Sequence, residues 1–328
     1  MVRLSVPMSQ EAHGPDGFRR ADDTSAPRDP FSTWGHMRIR ATVAAVTGAL
    51  ALSAFAVPAV QADEKPDAGL SVPSGAEIFG DAAGAPAAKA RSARTAEVPV
   101  IKKVVVNGGK DIVVGTTAKK KFTVAVTASS PSGIADAYAF LWHGHIDEVD
   151  GVLVPVQDRG NCKVASDRTT STCTVSITVD PRSDDLYTSS LAGTWNVAAG
   201  ALAATGSETD FIWREHQAKA RVQRASQITV NASPEPVKKG KTLTVTGKLS
   251  RANWDTHTYK GYSGQPVKLQ FRKKGSSTYT TVKTVKTNST GNLKTTVKAS
   301  VDGYWRYSFA GTSTTPAATA AGDFVDVK

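Results

Sequence analysis

The residues with the most direct chemical potential lie between His143 and Asp158. His143-Gly144-His145 places two imidazoles two residues apart, on one face if the chain is extended there. Asp147, Glu148, Asp150 and Asp158 follow within one connection between apolar runs. Imidazoles at that spacing suit zinc, but the sequence spacing fixes no third ligand. Oxygen ligands on a connection suit a hard cation, so calcium on Asp147, Glu148, Asp150 and Asp158 is the alternative to no cofactor at all. Asp147-Glu148-Val149-Asp150-Gly151 does not follow the EF-hand spacing, and Asp180, Asp184 and Asp185 form a second acidic group of the same kind. The chain lacks a Gly-x-Ser-x-Gly elbow and a Gly-rich phosphate loop, and no spacing sets paired carboxylates across a cleft. The expected class is therefore non-catalytic, with an uncharacterised hydrolase as the remote alternative.

A second candidate is the stretch from Arg251 to Tyr262. Trp254, Tyr259 and Tyr262 sit there with His257 and Lys260, in what reads as a long loop running from Arg251 to Gly264. Aromatic rings interleaved with basic and amide groups on such a loop can stack on sugar faces or anchor a protein partner. The alternative is that Trp254 and Tyr259 close the hydrophobic core at that end.

These residues must be positioned by strands. Val267, Leu269 and Phe271 alternate with Lys268, Gln270 and Arg272; Lys274-Gly275-Ser276-Ser277 turns the chain; and a Thr- and Val-rich run to Val285 returns. Leu293, Thr295 and Val297 alternate in the same way, and Tyr304 to Phe309 closes the set. Period-two alternation punctuated by Gly, Asn and Ser predicts antiparallel strands with one buried and one wet face. Upstream, Val98 to Val106, Asp111 to Val114, Phe122 to Ala128, Ile134 to Trp142, Cys162 to Ala165 and Cys173 to Val179 carry a similar pattern, continued by Gly193 to Val197, Phe211 to Trp213 and Ala218 to Arg224. The prediction is an all-β protein with two sandwiches, at 98–225 and 226–328, and almost no linker between them, so that they stack rather than swing freely.

The N-terminal third reads differently. Residues 1–36 are polar and aperiodic, and they are expected to be disordered or to lie upstream of the true initiator. Met37-Arg38-Ile39-Arg40 begins a basic head, followed by an uncharged run from Ala41 to Val60 and compact residues before Asp63, so 37–62 has the layout of a secretory signal peptide, with an N-terminal anchor as the alternative. Residues 63–97 are rich in Ala and Pro and read as a flexible tether, in which a short helix would be marginal. The mature chain is thus expected outside the cell, with no membrane segment after cleavage. Cys162 and Cys173 are the only cysteines; in an exported chain they predict a short structural disulfide contributing ~3 kcal/mol.

The formal net charge of +11 is unevenly placed. Residues 98–227 carry 14 Lys/Arg against 13 Asp/Glu, whereas residues 228–328 carry 16 against 5. Lysines on outward strand positions guard sheet edges, and they also attract anionic surfaces. The partners considered are an anionic cell-wall polymer, a polysaccharide or a surface protein. Nucleic acid is not among them, because no RNA-binding aromatic signature, zinc finger or recognition-helix pattern accompanies the charge.

The segments Ser233 to Thr242, Thr244 to Leu249, Pro266 to Lys274 and Gly303 to Gly311 resemble a recurrent immunoglobulin-like module of secreted actinobacterial, especially streptomycete, proteins. Gly109 to Trp142 is similar to the companion module that precedes it. The resemblance covers about 98–328 and implies two tandem immunoglobulin-like sandwiches. Proteins of this kind are of unknown function, some with a calcium-binding label, and the matching motifs are turns and strands that transfer no functional residue. The chain ends at Lys328 without a sorting motif for covalent wall attachment, so release or loose association is expected.

Overall fold

The computed structural model describes residues 72–79 and 97–328, all within one compact unit, Lys65–Lys328. The expected extension at 1–36, the signal peptide at 37–62 and most of the tether lie outside the described residues. A one-turn helix, α1 (Gly75–Phe79), is the exception within the tether. It is closed by a reciprocal capping box: the Glu77 amide donates to Ser74 Oγ at 3.3 Å and the Ser74 amide to Glu77 Oε2 at 2.6 Å. Residues 72–79 therefore depart from the expected flexible tether, because Ile78 and Phe79 supply apolar surface that an Ala/Pro average conceals.

The first sandwich contains β1 (Val100–Val106), β2 (Ile112–Val114), β3 (Lys120–Ser129), β4 (Ile134–His145), β5 (Glu148–Leu153), β6 (Asn161–Val164), β7 (Thr170–Val179), β8 (Gly193–Ala203) and β9 (Phe211–Arg224). One sheet has the order β1-β3-β7-β6 and the other β2-β9-β8-β4-β5. After β1 the chain turns at Asn107–Gly109 and changes sheets, so β2 lies parallel to β9 while the other pairs are antiparallel. Four strands facing a sheet built on the third, second-last and last long strands is the immunoglobulin arrangement. Alternation explains the packing: in β7, Ser171, Cys173, Val175, Ile177 and Val179 point inward and the residues between them outward.

The second sandwich contains β10 (Ser226–Ile228), β11 (Asn231–Ser233), β12 (Thr242–Asn253), β13 (Thr258–Gly261), β14 (Pro266–Lys273), β15 (Thr280–Lys286), β16 (Asn292–Lys298), β17 (Gly303–Phe309), β18 (Ala318–Thr319) and β19 (Asp323–Val325). β12 pairs with β10 and β11 along one edge and with β16 and β13 along the other. The facing sheet runs β15-β14-β17-β18, with β19 also on β17. A parallel bridge between Val237 and Val327 repeats the sheet change of the first module. Its core holds Leu243, Val245, Val267, Leu269, Trp305 and Tyr307. The Tyr307 hydroxyl donates to the Val245 carbonyl at 3.0 Å, and burial pushes it up to about 12. The chain is all-β in these two modules, as the alternation predicts.

The stretch read as a loop from Arg251 to Gly264 is instead a hairpin. β12 continues to Asn253, and Ser250 to Asn253 pair with Gly261 to Thr258 around a turn in which His257 has φ 51°. The acidic connection is likewise a hairpin, since Glu148, Asp150 and Gly151 belong to β5.

Cys162 and Cys173 form a disulfide between directly paired positions of β6 and β7, within one sheet. Beside it lies Asp136, whose Oδ1 accepts from the amides of Ala137 at 2.7 Å and Gly160 at 2.9 Å. Burial pushes its pKa up to about 6, against the pull of those two amides. A folded-state value above the unfolded one means that the native state retains a proton the unfolded chain has released. Asp136 thus favours folding fully below pH ~4 and loses that contribution as pH rises to ~6. Asp136→Asn keeps an acceptor for both amides without the charge, so above pH 6 it should be more stable than wild type by about 1–3 kcal/mol. Melting temperatures measured from pH 4 to 7.5 check this, and parallel curves for the two proteins would count against it.

Candidate binding site

The candidate residues of the aromatic hairpin divide between two roles. Trp254 is 0 % exposed and sits in the core of the first sandwich, although it directly follows β12 of the second. Its Nε1–H donates to the Gly115 carbonyl at 3.1 Å, and its amide donates to Ser189 Oγ at 3.0 Å. It is therefore not a stacking platform for a ligand, contrary to that reading of the sequence. Ala252 is buried beside it and Tyr259 packs partly against the same core. The reason lies in strand geometry. Leu243, Val245 and Leu249 occupy one face of β12, whereas Ala252, an odd number of residues further on, occupies the other, and Trp254, the first residue of the turn after β12, joins Ala252 in the first core. The far end of β12 thus turns its apolar face to the neighbouring module. Tyr262 is also committed: the Arg251 guanidinium lies 3.8 Å from its ring centroid. His257 and Lys260 are exposed.

Polar groups complete this junction. The Ala225 amide donates to Val114 O, the Ala252 amide to Ala225 O and the Arg224 amide to Thr314 O. Arg224 is buried, and its Nε donates to the Ala252 carbonyl at 2.5 Å. Burial, then the charge of Arg251, lowers its pKa to about 10, so it remains cationic at neutral pH. Asp255 at the hairpin tip accepts from Ser189 and Thr188, whose hydrogen bonds hold its carboxyl down at about 2.

The residues proposed for calcium do not gather. Asp150 Oδ1 is 2.6 Å from His143 Nδ1, its backbone carbonyl accepts from the Tyr187 hydroxyl, and Asp147 Oδ2 lies 3.4 Å from His145 Nδ1. Among the described residues, the one group of three or more His, Cys, Asp or Glu ligand atoms within 4.8 Å is Asp136 with Cys162 and Cys173. Both of those sulfurs are consumed by the disulfide. Asp147, Glu148, Asp150 and Asp158 belong to no such group, because strand pairing from Glu148 onward spreads the first three along a hairpin. The second acidic group serves its own turn: Asp180 binds the Arg182 amide and Lys119, and Asp185 accepts from the Asp180 amide.

The surface that does bring like chemistry together runs along β16, on the open side where β15 faces it. A cleft of about 720 Å³ is lined by Lys286, Asn288, Asn292 and Lys294, among others. A second, of about 490 Å³, has Phe271, Val297 and Trp305 with Lys283 and Lys298. Lys283 Nζ reaches from β15 to Thr295 Oγ1 at 3.0 Å and Thr296 O at 2.8 Å on β16. Among the described residues, none of these four lysines has a carboxylate within 4.0 Å. The neighbouring outer face carries a ladder in which Arg306 lies 3.6 Å from the Tyr279 ring and Arg272 lies 4.0 Å from the Tyr304 ring. Sequence reasoning located the lysines but not this ladder, whose only signal was the shared facing of Arg272 and Tyr304 across β14 and β17.

No protein-family model and no curated protein matches the chain. Solved structures that resemble it include the fibronectin(III)-like modules of Clostridium thermocellum CbhA, at 13 % identity over 69 % of this chain and 93 % of that one, with a TM-score of 0.29. The D00–D0 domain of Intimin is 16 % identical over 68 % of this chain and 99 % of that one, TM-score 0.23. The full ectodomain of mouse nectin-like molecule 4 is 15 % identical over 70 % and 65 %, TM-score 0.22. The fold assignment stands on the strand order of the sheets themselves.

Truncation of Trp254 tests the junction. Trp254→Ala should cost about 3–5 kcal/mol, the penalty for emptying a fully enclosed aromatic site. The loss should register in the first sandwich although the substitution is in the second. Hydrogen exchange read at β2 and β9 checks this, and unchanged protection there would oppose it.

Proposed function

We propose that this is a secreted, non-catalytic binding or structural protein whose second sandwich contacts an anionic cell-surface polymer. The supporting observation is the set of lysines on the facing strands β15 and β16: Lys283 and Lys286 on the one and Lys294 and Lys298 on the other, four ammonium groups beside two clefts, with no carboxylate partner among the described residues. An isolated cationic set costs self-repulsion that a neutralising partner would relieve. Amide side chains in the first cleft and the apolar floor of the second offer hydrogen bonding and packing to the repeating units between charges. Bridging of β15 and β16 by Lys283 holds the two rims at a fixed separation. The disulfide between β6 and β7 accords with an oxidising compartment, and the leader-like segment at 37–62 with export.

The mature chain should co-sediment with a phosphate-rich wall polymer more than with a neutral glucan, and the bound fraction should fall steeply between 50 and 500 mM salt as exposed charges are screened. Lys286→Glu with Lys294→Glu should reduce the bound fraction by about tenfold or more, in line with the cost of placing like charges against a partner. Equal retention of the double variant, or equal binding to the neutral glucan, would refute the assignment.

A further inference from the structure

The outer face of β8 and β9 is covered by a piece of the chain that does not belong to either sheet. Phe79 is 3 % exposed there, with its ring centroid 5.7 Å from Phe211 and 6.1 Å from Trp213. The Phe140 ring also packs against Trp213, tilted, with a centroid separation of 5.7 Å. Two glycines make the close approach feasible. A Cβ on Gly75 would lie 2.6 Å from the Trp213 Cβ, and one on Gly200 would lie 2.7 Å from the Phe79 ring. This is a shaped apolar seat, cut by glycine on both surfaces.

Its present occupant leaves the seat incompletely satisfied. The indole N–H groups of Trp142, Trp195 and Trp254 each donate to a backbone carbonyl, at 2.9, 2.8 and 3.1 Å. That of Trp213 is buried with no hydrogen-bond partner among the described residues. An unpaired buried donor is a standing penalty that an acceptor in the right place would remove. The occupying helix is a single turn, too short to persist without its dock, and its capping box is complete within itself, so it can leave without orphaning a polar group of the sheet.

We propose that this face is a peptide-binding site and that residues 72–79 are its resident, displaceable occupant. The ligand it fits is a short apolar segment of a partner protein, with an aromatic ring in the place of Phe79 and a carbonyl or carboxylate oxygen for Trp213 Nε1. The site is separate from the lysine clefts, and neither proposal depends on the other.

The test uses the full mature chain and a labelled peptide of sequence VPSGAEIF, followed by fluorescence polarisation. Phe79→Ala should bind the probe at least about tenfold more tightly than wild type, because the wild-type seat is held by a tethered competitor at roughly millimolar effective concentration. A probe with Ala in place of Phe should not bind. Scanning Asp through the probe should find a position that tightens binding about five- to tenfold, a gain that Trp213→Phe abolishes. A folded Phe79→Ala protein that binds no better than wild type overturns the proposal. Should that variant not fold, hydrogen exchange on wild type decides: amides of Gly75–Phe79 exchanging about a hundredfold or more faster than those of β8 support a displaceable segment, and equal protection overturns it.

Discussion

The insertion of Trp254 into the core of the neighbouring sandwich is the contact on which the arrangement of the two modules depends. It is a fully enclosed side chain directly after β12, a strand whose last residues include Ala252 in the same core and whose first half packs a different one. One continuous strand therefore belongs to both hydrophobic interiors. An inter-module boundary built from exposed polar surfaces would allow relative motion. Here, separating the modules would expose an indole, break its hydrogen bond to Gly115 and uncover Ala252 with it.

The buried charge at the boundary follows from the same geometry. Arg224 ends β9 where β12 passes, so it is enclosed by the junction that Trp254 closes. Its guanidinium is tolerated because Nε meets the Ala252 carbonyl and because Asp255, held ionised by Ser189 and Thr188, supplies opposing charge nearby. Removing either neighbour would leave a desolvated cation. Gln223, one residue earlier, donates to the carbonyls of Thr312 and Ser313 and so ties the same strand to another connection of the second module.

Much of the fold was legible because its strands obey a simple alternation. Val267, Leu269, Leu293 and Tyr307 are buried where period two puts them. The aromatic hairpin was misread because hydrophobicity changes phase between Leu249 and Ala252. A phase change resembles the end of a strand when one core is assumed, and resembles a second buried face only when a neighbouring module is allowed for. The acidic hairpin was misread for a related reason: Glu148 and Asp150 are poor strand formers, and their pairing is imposed by β4. The docked turn at Gly75–Phe79 did carry a local signature in Ser74 and Glu77, overshadowed by an alanine- and proline-rich background. Charge was the most transparent property, since the lysines of the second module needed no tertiary information to be assigned to outward positions. Their gathering between β15 and β16, and the Arg–Tyr ladder beside it, depends on which strands become neighbours.

The enclosed Trp254 and the strand before it, which serves both cores, set the lysine clefts and the outer face of β8 and β9 at a fixed separation and orientation. That geometry is the central claim. Backbone amide residual dipolar couplings, measured on the protein in a weakly aligning medium, test it most directly. One alignment tensor should fit the couplings from β1–β9 and β10–β19 together; couplings that require two tensors of different magnitude would show the modules reorienting independently and contradict the account.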